Sequence, residues 1–322
     1  MWRQNRVNGI ANQVDFMQQQ TTAYLLAGLA IVFWSTVATA FKLTLRHIDP
    51  LPLILYSCVF SAVTLFVIAA IQGKLTSLRM LTVRQYLIAM FLGLLNPALY
   101  YFVLFNAYDR LPAQQAMTIN YSWPVMLVIL SAVFLKQVIF RLEMVAIGVA
   151  YIGVVVIATG GKFDGLYFSD SLGTVFAILS TGIWAAYWLL NVKSNIDPVV
   201  NLLIGFSFAV PVLLVVIAII SAIEPGASLL SLPNIYAIAG AGYIGLFEMG
   251  ITFVLWSTAL KLSETTAKIS GLIFFTPFLS LLVIALLVGE KISPATIVGL
   301  TIVLVGIALQ KYAHHRVRQQ PH

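Results

Sequence analysis

Charge is what this 322-residue sequence has least of: 18 Lys/Arg and 11 Asp/Glu make up 9% of the chain, against roughly a quarter in soluble domains. With 61% hydrophobic residues beside them, so few charges cannot cover a water-soluble core, and the composition places the chain in a bilayer. Cysteine is nearly absent too. Cys58 stands alone inside an apolar run, which excludes a disulfide framework and a Cys-based metal site. The four histidines, His47, His314, His315 and His322, fall in loops or the C-terminal tail, and there is no HExxH, Walker loop or Gly-rich phosphate cradle. A membrane enzyme would need such groups at membrane depth, so no catalytic residue, metal or cofactor is expected. The net charge of +7 reads as loop charge that orients helices rather than as a nucleic-acid footprint.

What is present is apolar sequence in long runs. A spanning helix needs about 20 largely apolar residues. Ten runs qualify, at roughly 22–41, 51–71, 86–107, 113–135, 143–159, 172–192, 199–222, 234–258, 265–288 and 293–310. They are continuous rather than alternating, which excludes a closed barrel. The first run is longer than the apolar core of a cleaved leader and its polar lead-in is too long, so it reads as a retained span. Thirteen of the 18 Lys/Arg fall on the side of the termini, and five (Lys42, Arg46, Arg110, Lys162 and Lys291) on the other. That bias predicts that both termini are cytoplasmic, and the expected location is the cell's inner (plasma) membrane. Between the second and third runs, Leu75, Leu78 and Leu81 at near-helical spacing fit either a short interfacial helix or a solvated loop.

The chain also repeats itself. Ile48-Asp49-Pro50 returns as Ile196-Asp197-Pro198 at an offset of 148; Gly93 and Ala107 return as Gly245 and Ala259 at 152, and Pro124 and Gly153 as Pro277 and Gly306 at 153. Each copy holds five helices, an odd number, so the second enters the membrane from the opposite side. Inverted repeats place a binding site at the midplane between the halves and expose it alternately to the two sides. The expectation is an all-α polytopic membrane protein of ten transmembrane helices, built as two inverted five-helix repeats around a central cavity. Its segments are a cytoplasmic tail (1–21), a first repeat (22–159), a connecting loop (160–171), a second repeat (172–311) and a basic cytoplasmic tail (312–322).

Several motifs carry a resemblance. Phe33-Trp34-Ser35-Thr36, Ile48-Asp49-Pro50 and Asn120-Tyr121-Ser122-Trp123-Pro124 in the first half, with Trp184-Ala185-Ala186-Tyr187, Phe275-Thr276-Pro277 and Gly289-Glu290-Lys291 in the second, are similar to the ten-helix members of the drug/metabolite transporter superfamily. Those proteins are built from two EamA domains, and the resemblance covers about 22–311. The Trp-Ser-Thr, Asn-Tyr-x-Trp-Pro and Trp-Ala-Ala-Tyr elements resemble bacterial aromatic amino-acid and metabolite exporters. The resemblance implies export of amino acids or related metabolites through a central cavity, by a monomer or homodimer in the lipid bilayer. Many members carry an Arg in the second helix where this chain has Tyr56-Ser57, so no role of that Arg carries over.

Among the residues themselves, Glu248 stands out, since no other acid lies so deep in an apolar run. A carboxylate there must be protonated, paired or wet. It could carry protons or hold a substrate ammonium; a structural pair with Lys268 is the bland alternative. The 152 offset carries Glu248 onto Asn96 and Thr252 onto Tyr100, so each half shows a polar pair at i and i+4 on one helix face. Pro97 follows Asn96 and would open the helix locally, or merely kink it. Tyr121, Trp123, Trp34, Trp184 and Tyr187 supply aromatic faces for a flat or cationic substrate, or ordinary helix contacts. Tyr108 and Trp256 suit interfacial belts. The candidate substrate site is therefore Glu248, Asn96, Tyr100, Tyr121, Trp123, Trp34, Trp184, Tyr187 and Thr252. A channel would show a polar path along several helices; here the polar residues gather at one level, which favours alternating access. Small residues on the fifth and tenth runs (Ala146, Ala150, Gly153, Gly299 and Gly306) would let backbones approach closely.

Overall fold

A computed structural model describes residues 2–136, 141–162, 170–191, 193–224, 233–263, 269 and 272–318, with side chains described from 18 to 310 of these and at 312 and 313. Among the described residues there are ten principal helices and no strand. They are α1 (Trp2–Thr44), α2 (Pro50–Ile71), α3 (Val83–Arg110), α4 (Ala113–Leu135), α5 (Arg141–Ala158), α6 (Ser171–Asn191), α7 (Pro198–Ile223), α8 (Ile235–Leu262), α9 (Leu272–Val288) and α10 (Pro294–Arg318). Eight are long and apolar enough to cross a bilayer; Leu272–Val288 and Pro294–Gln310 are shorter. At 17 residues each, these two stand at the lower limit for a span. Helix α1 runs back through the polar lead-in, and α10 runs on through part of the basic tail, because neither stretch holds a proline before Pro321. A short helix, Leu75–Met80, lies between α2 and α3.

Local sequence sets the boundaries. The Asp-Pro repeats open α2 and α7, with proline in the first turn, where its missing N–H leaves no bond unmade. Asp197 accepts from the Val199 and Val200 amides at 2.9 and 3.4 Å. Thr82 and Gln85 form a reciprocal capping box at α3, and Asn234 caps α8 through Ala237 N at 2.8 Å. Gly289 ends α9 at φ 79°, a conformation glycine adopts without steric penalty.

The helices pack as the repeat requires. Helix α1 lies against α8 and α9, and α6 against α3 and α4; α2 lies against α8 as α7 does against α3; α2 meets α7, and α5 meets α10. Exchanging each helix for its counterpart five places on leaves this set unchanged. Single residues obey the same exchange. Gly93 lies on the Gly205 backbone, and its counterpart Gly245 on Ser57, the counterpart of Gly205. Gly153 meets Val303, and Gly306 meets Ala150. At all four glycines a side chain would collide with its neighbour, so glycine is what allows the helices to lie this close.

Candidate functional site

Helices α3 and α8 each break step at the same place in the repeat. Helix α3 is kinked within Leu94–Leu99, and Ile244–Ile251 of α8 forms a wide π turn; Asn96 and Glu248 lie inside these two segments. In α3 the cause is Pro97, which removes a backbone donor; Asn96 sits at φ −143° and ψ 113°, off the helical region, and the Asn96–Pro97 peptide is cis. A π segment inserts one residue into the helical turn and frees carbonyl groups. In α8 one of these is used at once, as the Thr252 hydroxyl donates to Phe247 O. Ser61 on α2 donates to Met249 O at 3.2 Å.

Glu248 projects between the repeats. Its Oε1 accepts from the Tyr101 hydroxyl at 3.1 Å, Trp34 lies alongside the carboxyl, and its Oε2 is buried with no hydrogen-bond partner among the described residues. Lys268, its expected alternative partner, lies outside the described residues. Tyr101 is fully buried against Phe41 and Phe105. Beside it, the Tyr100 hydroxyl faces Asn120 Oδ1 at 3.4 Å, and Asn120 donates to Ser180 Oγ at 2.9 Å.

Aromatic rings join these polar groups. Trp184 stacks on Tyr100 with ring centroids 4.6 Å apart and on Tyr187 at 5.7 Å. It meets Trp123 edge-on at 6.5 Å and Phe253 at 6.1 Å. Phe253 in turn meets Trp34 at 5.9 Å, so one connected aromatic path runs from α4 through α6 and α8 to α1. Tyr187 also interacts with the Asn96 side chain, and Tyr121 with Thr276 on α9.

Eight of the nine residues singled out from sequence thus gather around Glu248 and Trp184. Thr252 does not join them, because its hydroxyl turns back onto its own helix. Sequence reasoning also passed over Tyr101, placing Tyr100 on the Glu248 face. The kink at Asn96 breaks the helical register before Tyr100 and Tyr101, and the signal for it was Pro97. Tyr108 is no belt residue: it is 3% exposed, packed edge-on against Phe41 at 5.2 Å. Trp256 lies 5.4 Å from Trp34, half-buried between α1 and α8. Among the described residues no group of His, Cys, Asp and Glu could hold a metal ion.

The two ends of the bundle differ. At the end where α1 stops, Lys42 Nζ donates to the Tyr108 and Leu111 carbonyls at 2.7 and 2.8 Å, satisfying the last turn of α3. Glu290 accepts from the Ala113 and Gln114 amides at 2.8 and 3.3 Å, where the helix dipole favours an anion. Gln114 completes the knot, accepting from Ser293 N at 2.8 Å and Thr296 Oγ1 at 2.9 Å. Five helix ends are tied together there. At the opposite end, Lys74 pairs with Asp197 at 2.8 Å. At the same end a crevice of about 430 Å³ opens between the start of α3 and the end of α6.

Comparison with known proteins agrees with this architecture. A protein from Archaeoglobus fulgidus called an uncharacterized transporter is 25% identical over 292 residues, covering 88% of this chain and 96% of its own length. A solved structure described only as the crystal structure of a protein superposes with a TM-score of 0.59 at 18% identity, covering 92% of this chain and 99% of its own; it supports the fold alone. The model of the EamA-like transporter family matches residues 21–159 and again 171–310. With two copies of that family's unit, ten helices and a repeat that exchanges its contacts, the chain belongs to the EamA-like transporter family and is a multi-pass membrane transporter.

Proposed function

We propose that this transporter exports an amino acid or a related small metabolite by alternating access, binding it between the repeats beside Glu248. The observation that carries this reading is the Glu248 carboxyl itself. It lies where the two repeats meet, one oxygen held by Tyr101 and the other buried with no hydrogen-bond partner among the described residues. Such a group is costly in a membrane unless it is protonated, paired or wet, and a substrate ammonium or a proton supplies what Oε2 lacks. The surrounding rings of Trp34, Phe253 and Trp184 offer faces that attract a cation or stack on a flat group. Asn96, Tyr100 and Asn120 supply donors and acceptors for the remainder of such a molecule.

The test is flux in proteoliposomes with and without a pH gradient, the substrate first found as a metabolite that raises the melting temperature of the purified protein. Glu248→Gln keeps the shape and removes the charge; flux should fall at least tenfold and its response to the gradient should vanish. Tyr101→Phe, which removes one hydrogen bond to the carboxyl, should lower flux by roughly tenfold or less. Wild-type flux and gradient response in Glu248→Gln would make the residue structural and overturn the reading.

A further inference from the structure

The crevice at the α3–α6 end is built differently from its counterpart in the other repeat. Counterpart positions are Ile88 for Gly240 and Leu190 for Lys42. In the second repeat, Gly240 lies directly against Thr44 near the end of α1, with no room for a side chain. In the first, Ile88 stands at that place and lines an opening of about 430 Å³ between α3 and α6.

Its lining is amphiphilic in a fixed order. Arg84 and Lys193 stand at its mouth, both exposed, and among the described residues neither takes part in an ion pair. Below them on α3, Leu87, Ile88 and Phe91 are 60%, 36% and 53% exposed, and on α6 Leu190 is 39% exposed. From Arg84 to Phe91 the helix descends by about 10 Å, so the charges lie at the helix ends and the apolar side chains point toward hydrocarbon depth. Leu92 forms the floor and is 2% exposed, and Ser194 adds a hydroxyl near the mouth. No carboxylate lines the opening.

We propose that this crevice binds one anionic phospholipid, its phosphate held between Arg84 and Lys193 and one acyl chain laid along Leu87, Ile88, Phe91 and Leu190. Two cations with no lining carboxylate favour a net negative headgroup over a zwitterionic one. A water-soluble anion would leave the exposed leucines and Phe91 uncovered, whereas a lipid satisfies both parts of the lining.

The full-length protein in mild detergent, titrated with phosphatidylglycerol and observed by native mass spectrometry, tests this directly. One phosphatidylglycerol should be retained at least tenfold more tightly than phosphatidylcholine with the same chains. Replacing both cations (Arg84→Gln with Lys193→Gln) should weaken retention about 25-fold, at roughly fivefold per charge. Arg79→Gln, an exposed cation of the preceding short helix that does not line the crevice, should leave it unchanged. Ile88→Trp, filling the crevice without altering charge, should also weaken retention. Equal retention by the doubly substituted protein, equal binding of the two lipids, or no effect of Ile88→Trp would overturn the proposal. So would displacement of the lipid by glycerol 3-phosphate at similar concentration, which would identify a site for soluble anions instead. None of these readouts depends on transport.

Discussion

The two ends of the bundle are built from equivalent helices and finished in opposite ways. At one end Lys42, Gln114 and Glu290 tie α1, α3, α4, α9 and α10 together through backbone groups, and Gly240 seats α8 directly on Thr44. At the other, Ile88 stands where that glycine would be and lines a crevice between α3 and α6. The repeats share a contact scheme but not side-chain volume or charge at their ends, so the same fold carries a hydrogen-bonded knot at one end and a crevice at the other.

The strongest way to break the contrast is at Gly240. Gly240→Leu inserts a side chain where Thr44 already sits, and should lower stability by about 3 kcal/mol, the upper end for overpacking. At the counterpart, Ile88→Ala should change it by less than about 0.5 kcal/mol, because Ile88 is already 36% exposed. Thermal unfolding in detergent measures both, and equal losses would remove the distinction between the ends.

A smaller effect is expected at the knot. Glu290→Gln keeps one carbonyl oxygen for the α4 amides but removes the charge that favours a helix N-terminus and that acts on Lys42. A loss of about 2 kcal/mol is expected, together with easier opening of that end, read as faster labelling of a cysteine placed at Thr118. Unchanged stability would show that the knot holds through Gln114 alone.

The smallest effect belongs to the end with the crevice. Burial alone would raise the Asp197 carboxyl, but the bonded Lys74 ammonium and the Val199 and Val200 amides hold it below the usual carboxylate value. Its contribution is therefore present above the unfolded value near pH 4 and is lost as pH falls through the lower folded value. The pair is partly exposed, so the effect should stay below about 1 kcal/mol. Asp197→Asn preserves the cap on α7 and should flatten stability between pH 5 and 3. A wild-type slope retained in the variant would assign the acid sensitivity elsewhere.

Much of this was legible from sequence because it depends on local properties. A run of apolar residues is long enough to span or it is not, so each expected run falls on one of α1 to α10, although α1 begins at Trp2, well before its apolar run, and α10 continues to Arg318. The Asp-Pro openings of α2 and α7 and the glycines at 93, 153, 245 and 306 mark the repeat, since close helix contacts admit no larger residue. Glu248 and Asn96 stood out because a polar group in an apolar run needs a reason.

What the sequence left open is what depends on rotation and separation of helices. The hydroxyl that bonds Glu248 is Tyr101's, and the Thr252 hydroxyl bonds Phe247 O, because α3 and α8 depart from regular α-helix beside Asn96 and Glu248. Tyr108 proved to be buried against Phe41, which periodicity within α3 could not foresee. The sequence by itself determined a ten-helix duplicated membrane protein with one deep carboxylate, since hydrophobic length and the scarcity of charge act residue by residue. Only the tertiary structure decided which side chain meets that carboxylate, which end is tied and which holds a crevice, because those follow from how ten helices settle against one another.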